Sequence, residues 1–156
     1  MHVRLVAVGD RQPSWVSSAV DDYVSRFPRH WRFKLDAIAT TKRNKSESRE
    51  VAMDAEAVKI LARTKPADFV IALDERGRQS TSTQLAGKLE EWQTVGADLV
   101  FVIGGPDGLA KDVLERANHR LSLSLLTLPH GLARILFVEQ LYRAWSFSAG
   151  HPYHRE

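Results

Sequence analysis

The chain ends in His151–Pro152–Tyr153–His154–Arg155–Glu156, which places two imidazoles, a phenol, a guanidinium and a carboxylate in its last six residues. Such groups supply proton transfer and donors to developing negative charge. Chain ends are ordinarily frayed and chemically inert. A terminus this rich in chemistry therefore predicts a docked tail, with Pro152 and Tyr153 as stiff apolar surface; the alternative is a disordered basic end. A second concentration is Gly104–Gly105–Pro106–Asp107–Gly108, directly after the apolar run 99–103. Glycine lets backbone approach a flat ligand, although a tight strand-to-helix turn uses the same residues. A third is the apolar run Leu121–Ser122–Leu123–Ser124–Leu125–Leu126–Thr127–Leu128, stopped by Pro129. Two buried-strand patterns thus empty into turns, so that their carboxyl ends form one pocket.

Other chemistries are disfavoured. His151-x-x-His154 offers only two nitrogens, with no cysteine and no His-Glu-x-x-His to complete a set, so no metal is expected. The dinucleotide fingerprint G-x-G-x-x-G, the P-loop and the G-x-S-x-G elbow are absent. Their absence argues against an oxidoreductase on an ordinary doubly wound sheet.

At 156 residues, 44% hydrophobic and 26% charged, the chain is expected to form one domain, 1–156. The lack of cysteine excludes disulfides and thiolate catalysis and fits a reducing compartment. No apolar run is long enough for a bilayer, and the strand-like start lacks a signal-peptide layout. A cytoplasmic protein with no membrane partner is expected. The net charge is +3, with Arg26, Arg29, Arg32 and Lys34 close together, then Lys42, Arg43, Lys45 and Arg49. That clustering fits a polyanion partner; a solvated basic loop is the plainer reading.

These residues must be positioned by elements. Apolar runs predict strands at 3–8, 33–41, 68–74, 98–105 and 121–128. Apolar residues at three- and four-residue spacing predict helices from Pro13 to Phe27, over 46–64, from Thr81 to Gly96, over 110–119 and over 130–147. Residues 75–78 are expected to turn away from the third strand. Thr81 with Gln84 is a capping-box pattern. Strands alternating with helices predict an α/β fold, a parallel sheet flanked by helices. The last helix is apolar almost all round, leaving a thin strip of Arg134, Glu139, Gln140, Arg143 and Ser146. One sheet face needs only one stripe, so a second copy of the chain is expected on the other side.

These blocks carry a family resemblance. Leu5–Gly9, Arg26–Phe27–Pro28, Ile103–Pro106, Leu126–His130, Leu141–Ser146 and the closing six residues resemble the bacterial RlmH family. Its members are SPOUT-class methyltransferases that use S-adenosyl-L-methionine to modify N3 of a pseudouridine in 23S rRNA. The similarity runs nearly end to end.

The resemblance implies a SPOUT-type fold with a C-terminal trefoil knot, which periodicity alone would not suggest, and a homodimer with active sites near the subunit interface. It implies 23S rRNA, within the large ribosomal subunit or the assembled ribosome, as partner. Carried over by position, cofactor binding falls to Leu73, Gly104, Gly105, Leu123, Ser124, Leu125, Leu126, Thr127 and Leu128. Arg155, His154, Tyr153 and Arg143 are the catalytic candidates. Lys42, Arg43, Lys45, Arg26 and Arg29 are the RNA contacts. Gly131 stands where relatives of this kind are expected to carry proline. The alternative function is a non-catalytic RNA-binding or ribosome-associated module, which would need no cofactor.

Overall fold

A computed structural model describes residues 1–42, 44 and 48–155. The strands are β1 (Val3–Val8), β2 (Lys34–Ile38), β3 (Phe69–Gln79), β4 (Leu99–Ile103) and β5 (His119–Ser122). They form one parallel sheet in the order β2-β1-β4-β3-β5. The helices are α1 (Ser14–Ser25), α2 (Arg49–Leu61), α3 (Ser82–Thr94), α4 (Lys111–Arg116) and α5 (His130–Ser148). Short 3-10 turns cover Arg29–Trp31 and Pro152–Arg155.

Every residue of the central strand β4 is buried. Alternate strand residues feed two cores, as the period of a strand requires. Leu5, Phe101 and Ile71 pack with α1, α3 and α5 on one face. Val6, Val102 and Val70 pack with α2 and α4 on the other. A parallel sheet covered on both faces is the expected architecture. Among the described residues no helix is long and apolar enough to cross a membrane.

Three elements differ from expectation, each for a local reason. β3 does not turn away at residues 75–78. It bulges, so that both Leu73 and Arg78 pair with Leu121 of β5. Gly77 permits this: a Cβ there would lie 2.8 Å from backbone carbons of Arg120 and Leu121 and 2.9 Å from the Asp74 carbonyl oxygen. β5 stops at Ser122 rather than running to Leu128. The Ser122 hydroxyl donates to the Ser124 carbonyl at 3.1 Å, and the Ser124 hydroxyl accepts from Leu126 N–H at 2.9 Å. These local bonds compete with a strand ladder. α2 starts at Arg49, where the Ser48 hydroxyl accepts from Val51 N–H; residues 46 and 47 of the expected start lie outside the described residues. The capping box of α3 is present as expected, with both reciprocal bonds formed.

α5 also differs from its helical wheel. Phe137, Val138, Leu141, Tyr142 and Ala144 are buried in this chain's own core. Arg134 and Ser146, expected on the polar strip, are buried too. The Ser146 hydroxyl donates to the Arg143 carbonyl at 2.6 Å, which satisfies it inside the helix. What α5 leaves exposed is its first half, Leu132 and Leu136. Trp15 of α1, expected to face inward, is exposed as well.

Candidate functional site

The β3 bulge, the carboxyl end of β4 and the segment after β5 converge on a cleft of about 750 Å³. That is the size of a cofactor or drug-sized ligand site. Leu73, Gly104, Gly105, Leu123, Ser124, Leu126, Thr127 and Leu128 all line it. Leu125, expected among them, is not a lining residue and stands 85% exposed at the surface. The walls are apolar where Leu73, Ile103, Leu109 and Leu114 meet. The polar edge comes from Asp74, Glu75 and Arg76 in the β3 bulge and from Arg49 and Glu50 at the start of α2. Sequence reasoning missed both polar groups. The bulge was hidden because its residues read as a turn; Gly77 between charged neighbours is the signal that marks it. Arg49 was seen only as one more cation, whereas its Nε donates to Asp107 Oδ1 at 3.2 Å and ties α2 to the glycine loop.

The glycines have a structural reason of their own. A Cβ on Gly104 would fall 2.7 Å from the Gly108 backbone, and one on Gly105 would fall 2.9 Å from the buried Glu56 carboxylate. Gly108 N–H bonds the Gly105 carbonyl at 3.0 Å, and Gly108 holds φ at +87°. The loop closes on itself this tightly only with glycine. A valine in place of Gly104 would drive its side chain into the Gly108 backbone.

The tail is ordered through Arg155 and docks on α5. The Tyr153 ring lies 4.8 Å from that of Tyr142, and the Arg143 guanidinium sits over Tyr153 at 4.9 Å. The Tyr153 hydroxyl bonds Glu139 Oε1 at 3.0 Å and the Tyr23 hydroxyl at 3.3 Å. Burial, those two hydrogen bonds and the Glu139 charge push the Tyr153 phenol far above its ordinary range. The phenol is therefore protonated at neutral pH. Arg143 donates to Glu139 at 2.7 and 2.9 Å, so it anchors the tail. The His154 ring stacks on Phe147 at 4.5 Å, and its Nδ1 is buried without a partner among the described residues. Arg155 is exposed.

The structure brings the four tail candidates together but does not bring them to the cleft. His130 and Ala133 line the cleft at the start of α5, and the tail packs along the second half of that 19-residue helix, from Glu139 to Phe147. At 1.5 Å per residue, Glu139 lies about 9 Å and Phe147 about 21 Å along the helix axis from Ala133. The basic residues divide the same way. Arg26 lies over Tyr23 beside the tail, and Arg29 opens the turn that precedes β2. Lys42 follows β2, at the end of the sheet that holds the cleft. Arg43 and Lys45 lie outside the described residues. No cluster of three or more His, Asp or Glu set to hold a metal occurs among the described residues.

A sequence model of the family described as "Predicted SPOUT methyltransferase" matches residues 1–154. The chain is 47% identical over 156 residues to a protein of Methylibium petroleiphilum named ribosomal RNA large subunit methyltransferase H, covering 100% of both chains. It is 48% identical, with the same coverage, to the protein of that name in Variovorax paradoxus. Among solved structures it resembles a probable methyltransferase from Bordetella pertussis, with TM-score 0.53 and 18% identity over 91% of this chain and 95% of that one. It also resembles a probable methylase family protein from Haemophilus influenzae, with TM-score 0.56 and 15% identity over 96% of this chain and 69% of that one. These two likenesses concern the fold.

Proposed function

The chain belongs to the SPOUT methyltransferase family, and from that premise we propose that it methylates N3 of a pseudouridine in 23S rRNA, with S-adenosyl-L-methionine as donor. The observation that carries the reading is the convergence of eight strand-end residues on one cleft in a chain of this family. The names of its full-length relatives support rRNA of the large subunit as substrate.

The residues present fit such a donor. Leu73, Ile103 and Leu109 offer an apolar seat for a flat base, Ser124 and Thr127 offer hydroxyls, and the carboxylates of Asp74 and Glu75 suit ribose hydroxyls and positive charge. When bound, the sulfonium supplies an already activated methyl group. The chain must then align the acceptor, which is an orientation effect, and stabilise the imide nitrogen as its proton leaves. Arg155 is the tail cation suited to that task, since Arg143 is held by Glu139. Tyr153 and Arg143 are positioning residues that hold Arg155 in place.

A homodimer completes this reading. Since no tail residue lines its own chain's cleft, a two-fold axis across the first half of α5 would set the tail of one copy toward the cleft of the other. Exposed Leu132, Leu136 and Trp15 support that placement. It also joins Arg26 and Arg29 of one copy with Lys42 of the other in a single basic surface. The cytoplasm, where ribosomes assemble, is the proposed location, and the C-terminal trefoil knot is part of the same proposal.

Two measurements test the function. Titration with S-adenosylhomocysteine should give heat with the parent and little with Thr127→Trp, which fills the cleft from an exposed loop position. Nucleoside mass spectrometry of 23S rRNA from a strain lacking the gene should show N3-methylpseudouridine only after treatment with the protein and donor. Absence of the nucleoside would overturn the reading.

A further inference from the structure

A second, smaller cleft of about 300 Å³ opens at the carboxyl ends of β1 and β2. It shares one wall, His130, with the larger cleft. Arg11, Gln12, Thr41 and Lys42 line it, together with one acid, Asp10.

Its floor is Gly9, held at φ +112°. Three side chains close around that α-carbon: a Cβ there would meet Gln12 Nε2 at 2.8 Å, Arg134 Nη2 at 3.6 Å and His130 Cε1 at 3.8 Å. Arg134 is 4% exposed, and its Nη2 donates to the Gly9 carbonyl at 2.8 Å. Its Nε is buried without a hydrogen-bond partner among the described residues. No ion pair to a carboxylate is formed by Arg134 among them. A buried guanidinium without a carboxylate is costly, and a fold that keeps one beneath a cleft favours negative charge nearby. The Thr41 hydroxyl, on the cleft wall, is also buried without a partner among the described residues. A threonine hydroxyl donates well to an anionic oxygen. Two surface cations, a buried cation and a spare donor outweigh the single exposed Asp10.

We propose that this cleft is a phosphate subsite, in which Arg11, Lys42 and Thr41 hold one phosphodiester of the substrate strand next to the nucleotide presented to the larger cleft. The proposal rests on the reading of the substrate as RNA. The shared His130 wall places the phosphate beside the donor cleft, so the contact sets register. It positions the strand and carries no sequence information. The cleft has room for a phosphate with part of its ribose.

Two variants separate this subsite from general positive charge. Arg11→Ala/Lys42→Ala removes the two cations of the cleft. Lys59→Ala/Lys111→Ala removes two exposed cations from α2 and α4, on the opposite face of the sheet. The readouts are ribosome affinity against salt, affinity for S-adenosylhomocysteine, and amide chemical shifts on titration with uridine 3′,5′-bisphosphate. The cleft variant should bind ribosomes about tenfold more weakly, with a slope of log affinity against log salt shallower by about one. Its affinity for S-adenosylhomocysteine should match the parent. The control should keep the parent slope. The bisphosphate should shift the amides of Gly9, Thr40 and Thr41 in the parent and not in the cleft variant; uridine should shift neither. Unchanged affinity and slope in the cleft variant overturn the subsite. So does a parallel loss of S-adenosylhomocysteine binding, which would make this cleft a part of the larger one. If the parent bound the bisphosphate there yet left ribosomes unmethylated, the subsite would stand and the substrate reading would fall.

Discussion

Single residues decide what each part of the site can do. Gly104 has no room for a Cβ against the Gly108 backbone at 2.7 Å. Gly104→Ala should lower stability by about 1–3 kcal/mol, the usual cost of overpacking, and should weaken S-adenosylhomocysteine binding with it. Thermal unfolding and calorimetry on the same preparation check both; a stable variant with parental affinity would show that the loop yields. His119 is a second case. Its ring lies tilted against Trp92, 5.4 Å between centroids, with Nε2 buried and unpartnered among the described residues. Burial, then the Lys88 and Arg78 charges, hold its pKa below the ordinary imidazole value. The unfolded chain therefore takes up a proton before the folded one does. Stability is fully present above the unfolded pKa of about 6.5 and falls as pH drops below it toward the folded value. Urea midpoints of the parent should fall over that window, and His119→Phe, which keeps the ring and loses the charge, should show a smaller fall. Equal slopes for the two proteins would show that His119 is not the group responsible.

At the scale of elements, legibility in the sequence followed how local the cause was. Strands β1 and β4, the capping box of α3 and the alternation that makes a parallel sheet are written in neighbouring residues, so they were readable. The β3 bulge depends on a glycine facing the backbone of β5 across the sheet. The early stop of β5 depends on two serine hydroxyls competing with a ladder. The glycine's partner lies on another strand; the serine bonds are local, but an apolar–serine alternation has the period of a strand whichever way the hydroxyls turn, so periodicity misplaced both. Arg134 looked like surface charge because the helical wheel shows one helix and not the Gly9 carbonyl that receives it. The tail residues were legible by type, but their packing was not: they fold back along the second half of α5, onto Glu139, Tyr142 and Phe147, and do not line the cleft. The tail itself is held by Tyr153 against Tyr142, Glu139 and Tyr23. Deleting residues 153–156 should therefore abolish methylation while S-adenosylhomocysteine affinity changes little, because no tail residue lines the proposed donor cleft. Arg155→Ala should lower single-turnover rate more than substrate affinity, as expected for a cation that acts mainly in the transition state. A truncated protein that reaches the parental rate on saturating ribosomes would remove the tail from the mechanism.

For the whole molecule the question is how the proposed tail and cleft, which do not share a lining residue within one chain, would act on one nucleotide. Bending the tail back within a chain would strip Tyr153 of its ring contacts and its two hydrogen bonds. Pairing two copies costs none of these and covers Leu132 and Leu136, apolar side chains a monomer leaves in water. A stable isologous interface of the required size buries on the order of 1,200 Å² or more, so Leu132→Glu/Leu136→Glu should yield monomers by sedimentation at low micromolar concentration. Dimerisation alone would not show that the halves meet in trans. Mixing two inactive proteins does. A chain lacking residues 153–156 keeps its cleft, and Thr127→Trp keeps its tail. In a mixed dimer, one cleft faces the intact tail of the other copy. Random exchange makes about half of all dimers mixed, each with one of two sites complete, so activity should return to about a quarter of the parental rate. If the tail instead served its own chain's cleft, no mixed dimer would hold a complete site and the mixture would stay inactive. The Leu132→Glu/Leu136→Glu changes, placed in both chains, should abolish the recovery, which ties it to this helix and not to chance encounter on the ribosome.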